Sequence, residues 1–265
     1  MLRFELTTQL LRLRTVIVLL GLAGVPVAAG LAVASSAGRP NGDQGGLFGA
    51  SPFSALNHMM AGLEFTGPLL LPIVVALLAA TVASADRDWG VLRYLYLAPV
   101  TRTRLLTAKF AATAVATLLA VGCVLAAGLA VGTVIFGWHP FHLIGAPDLT
   151  RGQTVTRIVA ATGYTLLCML AMAAIAFMLG LLLPRGAEAV AAAIAFVVIA
   201  SVLNGQGAVH AVAVILPVHY WQNWVGLFDP AGATGMGRGA LVQVAWIAGC
   251  VAVCGLVLRR RDPAA

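Results

Sequence analysis

Six long apolar stretches, separated by short clusters of charge, constrain this sequence more than any other feature. The first lies between Arg14 and Arg39, the second between Glu64 and Asp86, and the third between Lys109 and His139. The fourth runs from Arg157 to Arg185, the fifth from Glu188 to about Leu203, and the sixth from Arg238 to Arg259. A helix needs about 20 residues to cross roughly 30 Å of hydrocarbon, and each stretch supplies about that, the fifth being the shortest. Inside a bilayer the backbone must satisfy its own hydrogen bonds. The stretches therefore read as helices, since barrel strands would alternate apolar and polar residues. The predicted fold class is an all-α membrane protein with six transmembrane helices.

Composition excludes the soluble alternatives. Hydrophobic residues make up 61% of the chain and charged residues 9%, where a soluble domain carries about a quarter charged. With the spans removed, no remaining piece is long enough to bury its own core, so residues 1–265 read as a single membrane domain. The net charge of +7 does not point to nucleic acid. The basic residues sit at the ends of apolar stretches, where they orient spans and meet anionic lipid headgroups. No basic stripe interleaved with aromatics is present.

The basic residues also set the orientation. With the N-terminus inside, the cytoplasmic side holds Arg3, Arg12, Arg14, Arg87, Arg93, Arg102, Arg104, Lys109, Arg185, Arg259, Arg260 and Arg261. The outer side holds Arg39, Arg151, Arg157 and Arg238. This bias places both termini in the cytoplasm. All five histidines (His58, His139, His142, His210 and His219) then fall outside or at the outer rim. The run from Thr15 to Gly38 follows basic residues as a signal peptide would. It exceeds a typical apolar region of roughly 7–15 residues and reads as a retained first span.

Three pieces do not span. In residues 1–14, apolar Leu2, Phe4, Leu6, Leu10 and Leu13 alternate with Arg and Glu, as in an interfacial amphipathic helix. Residues 86–109 form the one substantial cytoplasmic loop. Residues 204–237 contain an apolar piece, 211–218, too short to cross. His219, Tyr220, Trp221 and Trp224 follow it as an outer aromatic belt, so the segment reads as a re-entrant hairpin in the outer leaflet. Residues 38–52, rich in Gly, Asn, Asp and Gln, read as a flexible connector. Cys123, Cys168, Cys250 and Cys254 all lie in apolar runs, without zinc spacing, and read as small buried hydrophobes.

The loop beginning at residue 86 carries a distinctive pattern: Asp86, Arg87 and Asp88, then Gly90 and Leu92, then Pro99, Val100, Thr101 and Arg102, then Leu105, Leu106 and Lys109. It closely resembles the loop between the second and third spans of type-2 ABC exporter permeases. Aspartates stand where that family usually has glutamates, and Val91 where Thr is common. The six-span layout, the N-terminal interfacial helix and the outer hairpin extend the resemblance over nearly the whole chain. The resemblance implies a coupling helix on the cytoplasmic face that docks in a cleft of a separate ATPase. Asp86, Arg87, Asp88, Trp89, Gly90, Leu92, Arg93, Pro99 and Arg102 would make that contact. The spacing of Trp89, Leu92, Leu95 and Tyr96 independently predicts a short amphipathic helix, which Pro99 ends. The bland reading of the same helix is an anchor among lipid headgroups.

The sequence contains no P-loop: its only lysine, Lys109, lacks the glycine-rich approach that wraps phosphates. No cofactor is expected in this chain, and ATP and Mg would be bound by a partner ATPase. A second permease subunit, identical or homologous, and membrane lipids complete the expected partners. The location implied is the cell inner (cytoplasmic) membrane. The apolar pathway expected between two subunits suits a hydrophobic or amphipathic substrate such as a drug, antibiotic or lipid.

Other candidate sites are few. Glu64, at the outer end of the second stretch, is a pathway candidate, because ionisable groups at membrane depth are functional by default. His139 and His142 in HPFH could supply half of a metal site, against the simpler reading of exposed histidines, and no metal is expected. The alternatives from other classes are a membrane-embedded enzyme, an ATP-independent secondary carrier, and a non-transporting scaffold. The first two need catalytic clusters or buried ionisable residues that these spans lack.

Overall fold

A computed structural model describes residues 7, 12–36, 46–88, 102–206, 210–229 and 232–260. Seven long helices organise it: α1 (Leu13–Ser36), α2 (Ala55–Thr66), α3 (Leu70–Asp88), α4 (Arg102–Ile135), α5 (Arg151–Leu182), α6 (Gly186–Asn204) and α7 (Met236–Arg260). Short helical turns fill Gly46–Gly49, Ser51–Phe53, His210–Ala213, Pro217–Tyr220 and Asn223–Phe228. No strand occurs among the described residues. Of the predicted interfacial helix, only Thr7 and the junction from Arg12 onward are described; Arg14 already belongs to α1.

Five of these helices are each long and apolar enough to cross a membrane, namely α1, α4, α5, α6 and α7. Their outward faces carry Leu20, Leu118, Val134, Val202 and Leu241 exposed, far more apolar surface than a water-soluble protein shows. The remaining pair, α2 and α3, is bent by 65° at a break of three residues, Gly67, Pro68 and Leu69. Proline lacks the backbone donor a continuous helix needs, so the ladder stops here. Pro72 sits in the first turn of α3, where no donor is required.

Both halves of the bent pair pack against α4, meeting it in antiparallel order. A Cβ on Gly132 would lie 2.8 Å from Ala55 Cα, and one on Gly128 would lie 3.0 Å from Met59 Cα. At the other end, Lys109 Nζ meets the main-chain oxygen of Val82 at 3.0 Å. The small residues let the backbones touch, which is how helices associate where no hydrophobic effect drives them together. The second stretch is thus preceded by a further helix that its charge pattern does not show, beginning at Ala55. The expected connector 38–52 also gives way at its end: residues from Gly46 form two helical turns, with Leu47, Ala50 and Ser51 buried.

At the centre stands α5. Of its apolar stretch 61% is buried, against 17–28% in the other four long helices. A capping box of Thr150 and Gln153 starts it, satisfying donors that the helix itself leaves orphaned. Gly180 lets it close on Ala80 and Ala83 of α3. Phe110 of α4 lies against its Phe177 with ring centroids 4.3 Å apart. All four cysteines are free thiols, consistent with the small-hydrophobe reading.

His58, expected outside or at the outer rim, is buried among helices. It is 1% exposed, on the inner face of α2. Its Nε2 donates to the Pro26 carbonyl of α1 at 3.0 Å, so Nδ1 accepts from the Ser51 hydroxyl at 2.7 Å. Gly30 makes the room, since a Cβ there would lie 3.0 Å from Nε2. A buried polar side chain needs partners, and His58 obtains them from two elements that are far from it along the chain or outside its helix.

Candidate functional site

The structure shows the two stems of the loop that carries the distinctive pattern. Asp86, Arg87 and Asp88 end α3, and Arg102 opens α4. Trp89, Gly90, Leu92, Arg93 and Pro99 lie outside the described residues, so the predicted coupling helix does too. What the structure adds is how the stems are held. Lys109 is 3% exposed and reaches back to Val82 of α3. Lys109 bounds the third apolar stretch, and α4, which runs from Arg102, encloses it. Thr113 and Thr117 follow on the same buried face at helical spacing. Phe110, next to Lys109, binds the same stem to α5.

Glu64 lies in the last turn of α2, immediately before the 65° break. Its carboxylate stands against the backbone amides of Leu47 and Phe48, and its buried Oε2 has no hydrogen-bond partner. Its main-chain oxygen accepts from Gln222 Nε2 at 3.2 Å. The bend is thereby tied to the segment before α7. Nothing brings Glu64 together with the loop residues 86–88, which lie at the other end of α3.

The segment 210–228 is the least regular part of the bundle. Its short turns cannot satisfy their own backbone in an apolar setting, and side chains from the long helices do so instead. Gln243 of α7, fully buried, donates to the Pro217 carbonyl at 2.8 Å, and Trp246 Nε1 to that of Ile215 at 3.0 Å. From α5, the Tyr164 hydroxyl donates to Tyr220 O at 3.0 Å and Arg157 Nη1 to Leu227 O at 2.8 Å. Gly239 lets Tyr164 and Tyr220 approach α7. Sequence reasoning did not single out these anchors. A lone glutamine inside the sixth apolar stretch was the signal available, because an amide is costly there unless something needs it.

Histidines 139 and 142 have different surroundings. His142 pairs with Asp148 at 2.7 Å and stacks on Phe53, while His139 faces a cavity. No group of three or more metal-ligating side chains occurs among the described residues. Arg185 pairs with Glu188 at 3.5 Å at the start of α6.

Five long apolar helices and a broken sixth pair, packed through small residues around a buried α5, define the class: a multi-pass helical membrane protein. Residues 9–218 match the family described as ABC-2 family transporter protein. The match spans most of the chain, which belongs to that family and is a transporter membrane domain. A comparison with curated proteins finds no match.

Proposed function

We propose that the chain is the permease subunit of an ATP-driven exporter, moving a hydrophobic or amphipathic substrate across the cytoplasmic membrane. The observation that carries this reading is the family match over residues 9–218 in a chain without a P-loop. We read the energy source as an ABC ATPase subunit, since the family is one of ABC transporters and residues 1–265 hold no phosphate-binding loop. In this reading α2 and α3 form one broken span, giving six crossings with both termini cytoplasmic. The segment 210–228 is a re-entrant hairpin of the outer leaflet.

The stems Asp88 and Arg102 then open onto the cytoplasm, and residues 86–98 dock into the ATPase through a coupling helix. Two permease subunits, identical or homologous, enclose the pathway. ATP binding draws the two ATPases together, and each coupling helix passes the motion to α3 and α4. Because Lys109 and Phe110 fasten those stems to their neighbours, the push arrives as tilting of a packed unit and not as fraying of one helix. Glu64, at the bend, is the candidate pathway group.

The test is co-purification. The protein should bring down an ATPase subunit and, reconstituted with it, show hydrolysis that responds to substrate, while alone it should neither bind nor hydrolyse ATP. ATP hydrolysis by this chain alone, or transport driven by an ion gradient without any ATPase, would favour an enzyme or a secondary carrier instead.

A further inference from the structure

We infer that the end of the bundle remote from residues 89–101 carries a binding site for an acidic amphipathic molecule, with its acid group on Arg151 and His139 and its tail along α5. The inference needs the membrane setting but not the exporter reading.

The site is built by the segment between α4 and α5. Gly137, with φ of +77°, turns the chain after α4, a conformation that glycine adopts without strain. Leu149 N then donates to Phe141 O at 3.0 Å, closing the loop. Asn57 of α2 fastens it, donating to His142 O at 2.8 Å and accepting from His142 N at 3.0 Å. The result is a half-open cavity of about 640 Å³ whose lining includes Phe141, Leu149, Val155, Trp138, His139 and Arg151. Its volume lies within the range of roughly 300–1,000 Å³ in which small molecules are held.

Its polarity selects the ligand. No carboxylate lines the cavity, and Asp148, close by in sequence, is taken up by His142. The hydroxyls of Thr150 and Thr154 are engaged in starting α5. Arg151 and His139 make no hydrogen bond or ion pair among the described residues. An arginine is always charged and its planar fork matches phosphate or carboxylate. Arg151, Val155 and Val159 stand four residues apart on one face of α5, and the two valines are 61% and 64% exposed. A cation at the helix start, followed by an open apolar track, fits a head and tail in one molecule. Trp138, 66% exposed beside it, belongs at the level where headgroups meet hydrocarbon.

Native mass spectrometry of the purified full chain tests the site, with dioleoylphosphatidylglycerol, dioleoylphosphatidylcholine, oleate and inorganic phosphate as probes. Wild-type protein should retain phosphatidylglycerol about tenfold over phosphatidylcholine, the scale of one charge-assisted hydrogen bond. Arg151→Gln should bring the two close to parity, with His139→Gln between. Arg238→Gln removes the same charge at the same end but outside the cavity, and should leave the preference intact. Competition by oleate identifies any acidic amphipath as ligand; no competition identifies the phospholipid headgroup; either supports the site. Equal retention of the two lipids by wild type, or an equal loss in Arg238→Gln, would overturn it. So would displacement of the lipid by inorganic phosphate alone, which removes the role of the tail. Size-exclusion profiles keep misfolding separate, and His139→Gln reads the same cavity independently should Arg151→Gln fail to fold.

Discussion

Lys109 Nζ donates to the main-chain oxygen of Val82 across 3.0 Å, joining α4 to α3 where both helices lead into residues 89–101. Burying an ammonium group is costly unless it is hydrogen-bonded, and this one is 3% exposed. Replacing it with an apolar side chain of similar length removes that cost along with the bond, and such exchanges are often close to neutral for stability. Lys109→Met should therefore fold and insert. Its substrate-stimulated ATPase should nevertheless fall, by roughly tenfold if about 1.4 kcal/mol of stem contact is lost, with basal hydrolysis by the partner retained. Lys109→Arg should recover part of the effect. Unchanged stimulation in Lys109→Met would remove the clamp from the mechanism.

The contact of Gly132 with Ala55 gives a prediction with an internal control. A Cβ at Gly132 would meet backbone 2.8 Å away, whereas one at Gly122 on the same helix would meet nothing within 4 Å. Gly132→Ala should force α2 and α4 apart and cost about 1–3 kcal/mol. Gly122→Ala should be neutral or stabilise by up to about 1 kcal/mol, since glycine is the poorer helix former. Thermal unfolding in detergent compares them directly, and equal behaviour would show that the helices do not approach so closely.

Gln243 and Trp246 hold the segment before α7 through the carbonyls of Pro217 and Ile215. Gln243→Leu and Trp246→Phe should each cost about 1 kcal/mol, the net worth of a typical hydrogen bond. Because both act on one segment, the double change should depart from simple addition. Protease sensitivity within residues 210–228 should rise before the bundle melts. Loss of global stability with no local opening would mean that the anchors serve α7 and not residues 210–228.

The docking proposal for residues 86–98 is tested by Trp89→Ala, Leu92→Ala and Gly90→Pro. An apolar side chain fully buried at an interface is worth roughly 1.5–3 kcal/mol, so either alanine change should weaken ATPase association at least about tenfold. Gly90→Pro should be worse, as it removes a backbone donor. Membrane insertion should survive all three. Normal ATPase pull-down and normal transport at matched protein level would return the loop to a lipid anchor.

Orientation is open to reporter fusions. Fusions after Gly45 and Gly152 should report an external location, and fusions after Pro99 and at the C-terminus a cytoplasmic one. A cytoplasmic signal at Gly45 would invert the proposed layout.

The long apolar stretches were legible because hydrocarbon thickness and backbone hydrogen bonding allow one solution for such runs. Five of them became single helices, and the pattern from Asp86 to Lys109 together with the layout pointed to the family that residues 9–218 match. The second stretch is preceded by a further helix, Ala55–Thr66, that its charge pattern did not show. Asn57, His58 and Glu64 look like the polar edge of a span, yet Asn57 and His58 are buried and Glu64 is half-buried. A polar residue signals a boundary only when it faces water, and sequence does not say what it faces.

Spans, their helical nature and the lack of a phosphate-binding loop followed from sequence alone, because each depends on local composition and spacing. Tertiary structure decided what pairs across distance. It put His58 on Pro26, Lys109 on Val82 and Gln243 on Pro217, and it let α2 continue α3 around a bend. It also raised a cavity from residues of α2, α5 and the loop between α4 and α5. Each of these is a polar group or a void whose partner lies on another element. In an apolar bundle such partners are set by which helix faces meet, and that geometry has no imprint in the periodicity of either helix.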